Sequence, residues 1–170
     1  MKKLTVGFSR AKGFKPGSWL IRLGTGKPYS HVYFQWYSER YQEYLTYEAS
    51  HGMVHFTGFK QFQNERDVIK VYELNVPLES YENFVKKCIQ LCGVKYGSLQ
   101  LIGIAFIKIL KAFGISSKYT NYLGFGRSQY VCSELAADLL QDCFNIPCEI
   151  DLDQIEPSDI DSILEKYCNT

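Results

Sequence analysis

The chain has 170 residues, 46% of them hydrophobic, enough to bury one sizeable core and too few for two, so one domain spanning 1–170 is expected. Its formal net charge is +1 and both signs are mixed along the chain, which gives no stripe of the kind that binds nucleic acid or an anionic membrane. Lys2 and Lys3 are followed only by Leu4 to Phe8 before Arg10 and Lys12, a run too short for a signal-peptide core. A cytoplasmic location is therefore expected, with Cys88, Cys92, Cys132, Cys143, Cys148 and Cys168 as reduced thiols rather than a disulfide framework.

In chain order, Gly13, Pro16 and Gly17 punctuate the start, and Trp19 to Leu23 reads as a short strand closed by the turn Gly24-Thr25-Gly26-Lys27-Pro28. The aromatic run from His31 to Tyr37 predicts a strand with Val32, Phe34 and Trp36 on one face, and His31, Tyr33, Gln35 and Tyr37 on the other. Tyr44 to Ser50 alternates again, with Thr46, Glu48 and Ser50 sharing a face, so the two runs form an antiparallel hairpin. A turn near Arg40 would pair residues whose numbers sum to about 79 or 80, setting Glu48 beside His31. Met53 to Phe56 and Asp67 to Leu74 are two further strands of a small antiparallel sheet.

The period then lengthens. Tyr81, Phe84, Val85, Cys88, Ile89 and Cys92 fall at helical spacing, with Ser80 as N-cap and Gly93 as terminator. The run 99–112 predicts another helix, interrupted by Lys108 and Lys111 and too short to span a bilayer, though it could lie at a membrane surface. Residues 115–128 read as loop. Cys132 to Gln141 is an amphipathic helix with Cys132 and Ser133 in its first turn, and a short helix from Ser158 to Tyr167 follows Pro157.

A cysteine is a useful nucleophile only as thiolate, and a helix N-terminus with a nearby imidazolium stabilises that anion. Cys132 is the one cysteine so placed; otherwise it is a small buried hydrophobe. His31 follows a Pro-Tyr-Ser turn at the end of the sheet, where it serves as base or as a structural histidine. Glu48 either holds its imidazole or is a solvated strand charge. His51 and His55 are rival bases or the start of a metal cluster, but no spacing supplies third and fourth ligands, and Cys88 and Cys92 lack the paired CxxC pattern, so neither a metal nor a cofactor is expected.

The order His31, Glu48, Cys132 resembles the circularly permuted NlpC-type branch of the papain-like cysteine peptidase and amidase superfamily, in particular its YiiX-like members. The residues that carry the resemblance are Pro28-Tyr29-Ser30-His31-Val32, Tyr47-Glu48-Ala49, Tyr96-Gly97, Tyr130-Val131-Cys132-Ser133-Glu134-Leu135 and Pro157-Ser158-Asp159-Ile160. It implies an α+β permuted papain-like fold with Cys132 at a helix N-terminus, His31 and Glu48 on the sheet, and acyl hydrolysis or transfer. By the chemistry of such a site, an oxyanion would meet the Cys132 backbone N–H and one more donor, for which Gln129 and Tyr130 are candidates.

Three functions remain open at this level. The first is a thiol hydrolase of a peptide or amide bond, with Cys132, His31 and Glu48 as triad. The second is an acyltransferase or acyl hydrolase that approaches lipid through the run 99–112. The third is a binding module that presents Tyr33, Tyr37 and Tyr44 as a docking face. The sequence does not fix the substrate or the oligomeric state.

Overall fold

The computed structural model describes residues 1–97, 129–152 and 154–168. It is a mixed α+β arrangement: one seven-stranded sheet and, among the described residues, five helices. The strands are β1 (Lys2–Ala11), β2 (His31–Ser38), β3 (Glu43–Ser50), β4 (Met53–Gly58), β5 (Arg66–Val76), β6 (Lys95–Tyr96) and β7 (Gln129–Tyr130). Their order across the sheet is β5-β1-β2-β3-β4-β6-β7, and every neighbouring pair is antiparallel except the short pair β6 and β7. The expected helix over 99–112 and loop over 115–128 fall outside the described residues.

Helix α1 (Pro16–Thr25) replaces the strand expected at Trp19 to Leu23. Five consecutive residues of which four are apolar carry no period of their own, and the punctuation around them decides. Pro16 stands in the first turn, where its missing N–H costs nothing, and Trp19 N–H donates to Lys15 O at 3.0 Å. Gly26, at φ 66°, takes the left-handed position that stops the helix and donates to Arg22 O. Four further elements escape the sequence reading: the long strand β1, helix α2 (Phe59–Glu65) and the two-residue strands β6 and β7.

The hairpin of β2 and β3 forms in a different register from the one expected. Phe34 pairs with Tyr47, where a turn centred near Arg40 would have set it against residue 45 or 46. Residues 39–42 make a longer connection, with Gln42 at φ 51°, and this moves β3 along β2. The next turn is tight: His51 (φ 49°) and Gly52 (φ 89°) join β3 to β4, so that Glu48 faces His55.

Helix α3 (Leu78–Leu91) begins two residues before the expected cap, because Pro77 already occupies the N-cap position and its carbonyl accepts from Tyr81 N–H. Helix α4 (Cys132–Phe144) starts where the sequence placed it and runs a turn past residue 141, until Asn145 at φ 55° ends it. Helix α5 (Pro157–Cys168) closes the described chain.

The core lies between one sheet face and α3, α4 and α5. Phe84 of α3, fully buried, packs its ring 5.1 Å from Phe34, 5.4 Å from Trp36 and 5.5 Å from Phe144. Truncating such an aromatic costs about 3–5 kcal/mol. The opposite sheet face carries His31, Tyr33 and Glu48, and α2 covers it by seating Phe62 4.4 Å from the Tyr33 ring. Tyr33 is 1% exposed, which removes it from the docking face expected of Tyr33, Tyr37 and Tyr44; the other two remain half-exposed and stack edge to face. No helix among the described residues is long and apolar enough to cross a membrane.

Candidate active site

Cys132 is the first residue of α4, and its position follows from how that helix is started. Val131 is in extended conformation, and Glu134 reaches back to accept its backbone N–H at 2.9 Å. Valine has no side-chain acceptor to return the favour, so only half of a capping box is made. Ser133 donates to Ile155 O at 2.6 Å, fixing the first turn to the segment that leads into α5. The backbone N–H groups of Cys132 and Ser133 lie in the first turn, where amides have no intrahelical acceptor and the helix dipole favours negative charge.

His31, the first residue of β2, and Glu48, near the end of β3, are both buried, as is Cys132. His31 Nε2 lies 2.6 Å from Glu48 Oε2. Because an ionised carboxylate only accepts, Nε2 carries the proton, and the charge of His31 is felt at the Cys132 thiol. The β2–β3 pairing ends at Phe34 and Tyr47, and continuing its register by one step sets Glu48 level with Tyr33, so that His31 reaches it along the diagonal. The solvated strand charge that Glu48 might have been is therefore not what is found: its residue is 3% exposed.

Arg66, at the start of β5, completes the group and was not foreseen. Its Nε sits 3.4 Å from Glu48 Oε2, its guanidinium 5.9 Å from the centre of the Phe62 ring, and its side chain is only 13% exposed. Eighteen residues separate it from Glu48, so no local pattern flags it. Tyr96 of β6 is the second addition: its phenol feels the charges of Cys132, Arg66 and Glu48, and burial above all raises its pKa, so it stays a neutral donor beside the site.

The electrostatics follow from this packing. Burial alone would raise the Cys132 thiol, but the His31 charge and hydrogen bond, the Val32 N–H and Arg66 outweigh it and the pKa falls below the ordinary thiol value. Burial and Arg66 push His31 down, yet the Cys132 thiolate and the hydrogen bonds to Cys132 and Glu48 lift it above its ordinary value. Glu48, raised by burial, is pulled down to about 2 by His31, Arg66 and His55. All three shifts favour thiolate, imidazolium and carboxylate together.

The rival histidines sit elsewhere. His51 is exposed and pairs with Glu65 at 3.2 Å, while His55 Nδ1 lies 3.2 Å from Met53 O and its Nε2 is 3.8 Å from Glu48 Oε1. They help wall a polar cavity of about 250 Å³ on the far side of Glu48, together with Gln61, Glu65 and Arg66; neither Cys132 nor His31 lines it. Among the described residues no three His, Cys, Asp or Glu side chains gather as a metal site.

The two tentative oxyanion residues form β7. Tyr130 donates its hydroxyl to Asp138 Oδ2 at 2.8 Å and its carbonyl accepts from Gly97, while Gln129 pairs with Lys95. Comparison with protein-family models and with curated proteins returns no match to this chain.

Proposed function

We propose that the chain is a cysteine hydrolase of the permuted NlpC-type, papain-like kind, cleaving an amide or peptide bond through an acyl-enzyme. One observation carries the reading: a thiol at the start of α4, an imidazole on β2 and a carboxylate on β3 are all buried, with the imidazole 2.6 Å from the carboxylate and its charge acting on the thiol. That is the arrangement a nucleophile, its base and the base's orienter require.

The Cys132 thiolate attacks the carbonyl carbon, and the carbonyl oxygen becomes an oxyanion near the Cys132 N–H and a second donor. Tyr130 and Gln129 remain candidates for that donor, and Tyr96, which burial keeps protonated, joins them. As the C–N bond breaks, the His31 imidazolium gives its proton to the leaving amine. The neutral ring then takes a proton from water, whose oxygen attacks the thioester, releases the acid and restores the thiolate. An alcohol or amine in place of water would make the same site a transferase.

The reading is tested with p-nitrophenyl acetate and mass spectrometry. A burst of nitrophenolate with an acetyl group on Cys132 is expected in the wild type and absent in Cys132→Ala. A wild-type chain that never acquires the acetyl group at Cys132 overturns it.

A further inference from the structure

Helix α1 turns two large apolar side chains outward. Trp19 and Leu23 lie one turn apart on one stripe, and Ser18, Ile21, Arg22 and Thr25 share the other. The second stripe faces the protein: Ser18 Oγ is 2.6 Å from Ser30 Oγ, and Ser18, Ile21 and Arg22 are half-buried, as is Leu20. The first faces out, with Leu23 64% and Trp19 47% exposed, and Phe14 just ahead of the helix is 77% exposed. None of the helix residues is buried. Exposing large apolar side chains together is costly in water, and such a surface marks a contact site.

Charge indicates what it contacts. Taken over the whole chain the two signs are mixed, but no Asp or Glu precedes Glu39, while Lys2, Lys3, Arg10, Lys12, Lys15, Arg22 and Lys27 do. The first three pair with Glu39, Glu73 and Asp67, and Lys27 approaches Asp161. Among the described residues no carboxylate lies at ion-pair distance from Lys12, Lys15 or Arg22; Lys12 donates to Gln63 O at 2.6 Å and Arg22 to Ser18 O, while Lys15, directly before the helix, is exposed. Trp, Phe and Leu side chains flanked by Lys and Arg are the composition of a helix lying in a lipid interface.

We propose that α1 docks the protein on an anionic lipid surface. The Ser18–Ser30 contact places it one residue from His31, so docking brings the Cys132 end of the sheet to the bilayer and directs it to an acyl carbonyl held there. The choice of substrate rests on the hydrolase reading; the docking does not.

The test is flotation of the full chain with phosphatidylcholine vesicles, with and without phosphatidylglycerol. The wild type is expected to float with the anionic vesicles only, less as salt rises. The doubly substituted chain Trp19→Ser, Leu23→Ser should lose about tenfold in partitioning while Cys132 labels with iodoacetamide at the wild-type rate. Trp36 is buried in the core, so a blue shift of emission on binding belongs to Trp19. A wild type that stays unbound at low salt, or a double variant that floats equally well, overturns the proposal. Retention on insoluble peptidoglycan without flotation overturns it too, and assigns α1 to a wall polymer. An unreactive Cys132 beside normal flotation would sink the hydrolase reading and leave the docking intact.

Discussion

Glu48 receives His31 Nε2 at 2.6 Å and Arg66 Nε at 3.4 Å on the same oxygen, so a single buried atom holds both the ring and its counter-cation. With two positive partners the carboxyl stays ionised down to about 2, against an ordinary value of 4.5. A carboxyl whose folded pKa is depressed stabilises the fold above its unfolded value and loses that contribution as pH falls through the folded one. Glu48 therefore contributes on the order of 3 kcal/mol at neutral pH, fading between pH 4.5 and about 2. Urea unfolding of Glu48→Gln should show a gap of that size at pH 6 that closes by pH 2. A gap independent of pH would contradict the ionised state.

The thiolate at Cys132 depends on His31 more than on any other partner. Alkylation by iodoacetamide, followed by mass spectrometry across pH, should begin well below the usual thiol range of about 8.5 in the wild type. In His31→Ala the onset should move above that range, because burial then acts almost alone. Coincident profiles would mean that the imidazole does not activate the sulfur.

Arg66 acts on the same pair from the other side, lowering both the Cys132 and the His31 pKa. Arg66→Met should move the alkylation onset upward, by less than the loss of His31 does. It should also cost about 3–5 kcal/mol of stability, since it strips a buried carboxylate of one partner. Alkylation unchanged in a folded Arg66→Met chain would restrict Arg66 to a structural role.

What the sequence disclosed and what it hid divide along physical lines. The α4 start at Cys132 and the strand at His31 were legible because each has a strong period and a clear terminus. The meeting of His31 and Glu48 was expected from a register that proved wrong. It survives because Glu48 still falls on the His31 face, and a long side chain spans the diagonal. Arg66 was hidden, and Tyr96, noted only in the Tyr96-Gly97 match, was given no place at the site, because β5 and β6 reach it only through the sheet order. The apolar run at Trp19 to Leu23 was misread as strand because hydrophobicity without period does not choose between strand and helix, and its outward-facing side chains break the usual link between apolar and buried.

The loop that delivers His31 is held from a distance. Asp161 of α5, 3% exposed, accepts Tyr29 Oη–H at 2.5 Å, Tyr72 Oη–H at 2.6 Å and Lys70 Nζ at 2.7 Å. Tyr29 lies two residues before His31, so this knot ties α5 and the β5 edge to the start of β2. Tyr29→Phe removes a hydrogen bond to a charged acceptor and should cost about 1.5–3 kcal/mol in unfolding. It should also slow Cys132 alkylation near neutral pH by loosening the His31 loop. A loss of stability with an unaltered alkylation profile would separate the knot from the site.

Gly7 and Tyr33 face each other across β1 and β2, and the Tyr33 ring lies over the glycine where a side chain would be. A Cβ at Gly7 would fall within the ring itself, at a strand position where glycine is otherwise a weak choice. The ring has no room to retreat, because Phe62 closes it from the other side at 4.4 Å. Gly7→Ala should therefore destabilise the chain by about 1–3 kcal/mol, although alanine is the better strand former. The Tyr33 hydroxyl is buried and finds no hydrogen-bond partner among the described residues. Tyr33→Phe removes that desolvated group without changing the ring, so it should be neutral or stabilising by up to about 1 kcal/mol. Thermal unfolding of both variants distinguishes the two effects: Gly7→Ala as stable as the wild type would mean the ring moves, and a clear loss in Tyr33→Phe would mean the hydroxyl has a partner after all.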